Sequence, residues 1–60
     1  MIVDRVNFNE DAIRMMSRDE FISRHIGLVW RDRDIDTRKK MLREVFDMIK
    51  PPGQKKATEN

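Results

Sequence analysis

Apolar positions recur with helical spacing in two stretches of the chain. In the first, Phe21, Ile22, Ile26, Leu28, Val29 and Trp30 share an arc of roughly 200° when wound at about 100° per residue, and His25 lies inside it. In the second, Met41, Leu42, Val45, Phe46, Met48 and Ile49 cover an arc of roughly 160°, with Lys39, Lys40, Arg43, Glu44, Asp47 and Lys50 on the other side. The first stretch has a clear start. Ser17-Arg18-Asp19-Glu20 is a capping box, and Met16 with Phe21 makes the matching hydrophobic staple. Gly27 falls on the polar side and the apolar arc runs past it without a phase break. The pattern therefore predicts one helix over about 18–30, with Gly27 a mid-helix residue costing about 1 kcal/mol rather than a terminating C′ glycine. Asp36, or Asp34, caps a second helix over about 36–50, and Pro51-Pro52 stops it. The link Arg31–Asp34 has the length of a helix–helix connection, so the two helices read as an antiparallel hairpin.

The N-terminal segment is short of signal. Residues 9–16 can form a brief helix capped by Asn7 or Asn9, with Phe8, Ala12, Ile13 and Met16 facing inward. A helix of that length needs tertiary contacts to persist. Ile2, Val3 and Val6 suit a strand, but one strand has nothing to pair with. Residues 51–60 have the turn and polar composition of a flexible tail. The expected fold is all-α: a helical hairpin preceded by a short N-terminal helix, one domain over 1–50, associating into a helical-bundle dimer.

Composition narrows the class. Sixty residues make one small domain whose stability alone is marginal. Cysteine is absent and histidine occurs once, so neither a disulfide nor a usual zinc set can reinforce it. Leu, Ile, Val and Phe make 15 of the 60 residues, above the level of disordered chains. No stretch has the apolar length of a membrane span, and the first residues lack a secretory pattern, so a cytoplasmic location is expected. Residues 1–30 carry four Lys/Arg against five Asp/Glu, and residues 31–60 nine against six. That mild asymmetry permits an anionic partner.

Catalytic chemistry finds little to stand on. His25 has Phe21, Ile22, Leu28 and Val29 one helical turn away, not a nucleophile or an orienting acid. Its remaining interest is titration between about pH 5 and 8 if it lies at an interface. Asp32, Asp34 and Asp36 alternate as in a calcium loop, but the central glycine and the closing glutamate are missing. The only glycines are Gly27 and Gly53, so no phosphate loop exists, and Ser17 and Ser23 lack an elbow motif. The chain is expected to be no enzyme and to use no metal or other cofactor.

Association is the function that remains. A helical hairpin buries an arc of roughly 100–120° per helix, less than either arc here. The surplus predicts a homodimer or a dock on another protein, with Phe21, His25, Trp30, Met41, Val45, Phe46 and Met48 as the interface. Trp30 is the natural anchor, and the methionines are adaptable fillers. A short helix over 9–16 that covers the surplus within one chain is the internal competitor.

Basic residues offer the alternative. The stretch Thr37-Arg38-Lys39-Lys40-Met41-Leu42-Arg43-Glu44-Val45-Phe46-Asp47-Met48-Ile49 resembles the second helix of ribbon-helix-helix repressors. That resemblance implies a DNA-binding regulator in which residues 2–8 form a strand, paired with a second chain and inserted in the major groove, with Val3, Arg5 and Asn7 as readers. Arg5, Arg31, Arg33, Arg38, Lys39 and Lys40 are then the candidate nucleic-acid contacts. The sequence departs from the family in the intervening segment Asn9–Met16 and in lacking a glycine between the helices.

Overall fold

A computed structural model describes residues 1–51. Five elements follow in order: β1 (Ile2–Val3), β2 (Val6–Asn7), α1 (Glu10–Arg14), α2 (Arg18–His25) and α3 (Ile35–Ile49). The expected all-α architecture is therefore incorrect. The strand-like N-terminus finds its partner in itself. β1 and β2 pair antiparallel with Val3 opposite Val6 and Ile2 opposite Asn7, and the Phe8 amide extends the ladder to the Met1 carbonyl. The tail expected over 51–60 lies, apart from Pro51, outside the described residues.

Asp4 and Arg5 make the turn. Their φ values of 49° and 69° meet the condition of a type I′ turn, whose twist matches that of the flanking strands. Asp tolerates the left-handed region; Arg enters it at a cost of about 1–2 kcal/mol. Strand alternation then sends Val3, Val6 and Phe8 to one face and Ile2 and Asn7 to the other. Phe8 is buried, Val3 and Val6 pack beside the core, and Ile2 stays exposed.

The helix starts match the sequence. Asn9 accepts from the Ala12 amide at 3.1 Å and opens α1. Ser17 accepts from the Glu20 amide at 3.1 Å and opens α2. Asp34, not Asp36, caps α3, taking the Thr37 amide at 3.3 Å and the Thr37 hydroxyl at 2.6 Å. Ala12, expected to face inward, is exposed; Ile13 fills that side of α1 alone.

The end of α2 is the second correction. The helix stops at His25 instead of reaching Trp30. A continued helix would bond the Trp30 amide to the Ile26 carbonyl, its partner four residues back. Both groups are taken by other parts of the chain. The Trp30 amide donates to Asp4 Oδ2 at 2.7 Å, and the Ile26 carbonyl accepts from Arg38 Nη1 at 2.9 Å. Two tertiary bonds replace one helical bond. Gly27, a weak helix former, sits where the chain tightens and the Leu28 amide bonds back to His25. Gly27 itself has no positive φ; Trp30 takes the left-handed conformation, at φ 47°. Val29 then enters the core from a loop.

Among the described residues, nine buried side chains form that core: Phe8, Ile13, Phe21, Ile22, Val29, Leu42, Val45, Phe46 and Ile49. Every element from β2 to α3 or its adjoining loop contributes to it. Phe8 at the end of the hairpin and Ile13 of α1 thus join the apolar faces of α2 and α3 in one core.

Candidate interaction surface

The seven expected interface residues divide by depth. Phe21, Val45 and Phe46 lie in the core. His25, Trp30 and Met41 are half-buried, and Met48 is exposed. The fold gathers Phe21, Phe46 and His25 into one aromatic cluster, joined by Phe8. Ring centroids are 5.6 Å apart for Phe8–Phe21, 5.5 Å for Phe21–Phe46, 4.7 Å for Phe8–His25 and 4.6 Å for Phe21–His25. Phe8 meets Phe21 edge-on at 87°, the arrangement favoured by opposed ring quadrupoles. His25 Nδ1 lies 2.7 Å from the Phe21 carbonyl oxygen. A carbonyl only accepts, so this bond places a proton on Nδ1. The imidazole thus packs against both Phe8 and Phe21 and ties itself to its own helix.

The candidate nucleic-acid residues divide as well. Arg38 is committed to the fold: its Nε donates to the Arg33 carbonyl and its Nη1 to the Ile26 carbonyl, both at 2.9 Å. It holds the α2–α3 loop in shape and neutralises the partial negative charge at the end of α2. Arg5 sits in the hairpin turn. Arg31 and Arg33 are exposed in the loop, and Lys39 and Lys40 are exposed in the first half of α3. The strand that the ribbon-helix-helix resemblance requires is folded back on itself. Val3 faces inward, Arg5 is in the turn, and only Asn7 points outward from a strand. The three readers do not share a surface.

Charge pairing differs between the two halves. Arg14 pairs with Glu10 and Asp11, Arg24 with Glu20, and Arg18 reaches across to Asp47 at 2.9 Å. Among the described residues, Lys39, Lys40 and Arg43 have no acid within ion-pair distance. Asp34 titrates below the usual carboxylate range, held there first by the Thr37 hydroxyl and then by the Thr37 amide. That is the signature of a cap.

No protein-family model matches the chain, and no characterised protein or solved structure matches it either. The surface itself must therefore carry the functional reading. Ser17 spends its hydroxyl on the α2 cap, and among the described residues no group of three or more His, Cys, Asp or Glu could hold a metal ion. Nor is any helix among them long and apolar enough to cross a membrane.

Two surface features remain. One is a flank of α3 where Met41 and Met48, seven residues apart, fall within about 20° of each other around the helix. The other is a shallow groove along the α2–α3 seam, lined by Asp19, Ile22, Ser23, Ile26, Lys39 and Arg43. Sequence reasoning named Met41, Met48 and Lys39 but missed the groove. The available signal was Lys39 and Arg43 themselves, two like charges spaced one turn apart. Asp4 was also missed, because nothing local marks a carboxylate that will meet a backbone amide 26 positions away.

Proposed function

We propose that the protein acts by binding another protein non-covalently, through apolar side chains that its own core leaves outside. The observation that carries this reading is the exposure of Met15 (87%), Ile2 (74%), Met48 (65%), Leu28 (54%) and Ile35 (50%) on a domain with nine buried residues. Burying a side chain of this size is worth about 1.5–3 kcal/mol, so a partner covering two or three of them gains substantially. The Met41–Met48 flank is the strongest part of the surface, since flexible thioether chains adapt to varied partners. The reading keeps the expectation of a cytoplasmic location.

Photo-crosslinking tests it. The chain is produced in cells with a photoactivatable methionine analogue, irradiated, and analysed by mass spectrometry. Crosslinks from Met48 to a second polypeptide are expected. An adduct of twice the chain's mass would make the partner a second copy. Folded protein that yields no intermolecular crosslink from either Met48 or Met15 would overturn the proposal.

A further inference from the structure

The groove between α2 and α3 stands on the side of α3 roughly opposite the methionine flank, so it constitutes a separate surface. We infer that it is a docking site for a short acidic segment of a partner protein. An aliphatic side chain of that segment seats on Ile22 and Ile26, and flanking carboxylates meet Lys39 and Arg43.

The two walls are tied to each other at both ends. Arg18 and Asp47 bridge the two helices beyond one end of the groove, and the Arg38 bond to the Ile26 carbonyl ties them at the other. The concave space is therefore built before a ligand arrives, which lowers the ordering cost of binding. Its base is apolar: Ile22 is nearly buried, and Ile26 is half-buried against the core. Its α3 rim carries Lys39 and Arg43, one turn apart. Like charges at that spacing repel and destabilise a helix slightly. No acid of the described residues lies within ion-pair distance of either, whereas Arg14, Arg18 and Arg24 on the preceding elements are all paired. A ligand bearing carboxylates would relieve that repulsion.

The opposite rim selects among anions. Asp19 and Ser23 line it, the one a negative charge and the other a hydroxyl. A continuous polyanion such as a nucleic-acid backbone would be repelled by Asp19 and would gain nothing from the isoleucines. A peptide presents charge on one side only. Its own amide groups can bond to Asp19 and Ser23, and its aliphatic residue fills the base. Charge complementarity and apolar burial point to the same occupant.

The test is an NMR titration of the full ¹⁵N-labelled chain at low salt. The probe is an acetylated, amidated peptide with one leucine between paired glutamates. Shifts are expected at the amides of Ile22, Ser23, Ile26, Lys39 and Arg43. Replacing the leucine by glycine should weaken binding about tenfold or more. The double variant Lys39→Glu, Arg43→Glu should keep the folded spectrum and lose the shifts. Shifts absent from the groove would overturn the inference, as would equal binding of the glycine peptide. A duplex DNA oligonucleotide that moves the same amides at lower concentration than the leucine peptide would overturn it too, and would assign the groove to nucleic acid. None of these outcomes depends on crosslinking at the methionines.

Discussion

Phe8 is the residue on which the corrected architecture can be tested most sharply. It ends the β-hairpin, is almost fully buried, and touches both Phe21 and His25. Truncation to alanine removes its ring from the core and leaves a hole between the hairpin and α2. Phe→Ala changes in cores cost about 3–5 kcal/mol. A domain this small has a total stability of about 3–5 kcal/mol. Phe8→Ala should therefore unfold a large share of the molecules at 25 °C. Phe8→Leu should keep the fold and lower the urea midpoint, giving a reading even if the alanine variant never folds. Ile2→Ala is the matched control. It lies in the same hairpin but on the outer face, and should change stability by no more than about 0.5 kcal/mol. Urea titrations followed by Trp30 fluorescence and far-ultraviolet circular dichroism read all three. Equal losses for Ile2→Ala and Phe8→Ala would refute the reasoning, because strand propensity rather than burial would then govern the hairpin. A Phe8→Ala protein that melts like the parent would refute the docking of the hairpin altogether.

Three further outcomes follow from the loop and the caps. Gly27→Ala should stabilise the protein by about 0.4–1 kcal/mol in thermal melts, because Gly27 has no positive φ and an added Cβ meets open space. Arg38→Met should cost about 1.5–3 kcal/mol and speed hydrogen exchange in the α2–α3 loop, since it strips two carbonyls of a charged donor; Lys40→Met, two residues along α3 and exposed, should cost almost nothing. Asp34 supplies a pH dependence. Its folded pKa lies below the ordinary value of 3.8, so its contribution is present above that value and is lost as the pH falls through the lower, folded one. Thr37→Val removes the leading cause, and NMR titration of the Asp34 carboxyl should then show its pKa moving back up.

What the chain reveals before folding is its local chemistry. Ser17 and Asn9 announce helix starts because a cap bonds only three residues ahead. The span of α3 is legible from its apolar face and Pro51 to within a residue. Readability fails where distant segments compete for backbone groups. Ile26, Leu28, Val29 and Trp30 keep helical phase, so periodicity predicts a helix; Asp4 and Arg38 take the donor and acceptor that helix needs. The hairpin is missed for a related reason. Its strands are two residues each, and its turn is Asp-Arg rather than the Asn-Gly or Asp-Gly that marks such turns. The candidate surface suffers likewise. Pattern groups Arg38 with Lys39 and Lys40, and only the folded backbone shows that Arg38 is already occupied. Phe21 looks available until Phe8 packs edge-on against it.

The bond from Trp30 to Asp4 changes what the hairpin tip is. Most two-stranded ribbons end in a free loop that tolerates grafts, fusions and proteolytic nicks. Here the tip is stitched to the α2–α3 connection, 26 residues along the chain, and lengthening it would pull Asp4 out of register and free the connection after Val29. An engineer wishing to insert a reporter should leave Asp4-Arg5 alone, and Arg33 as well, whose amide bonds the Trp30 carbonyl and whose carbonyl accepts from Arg38.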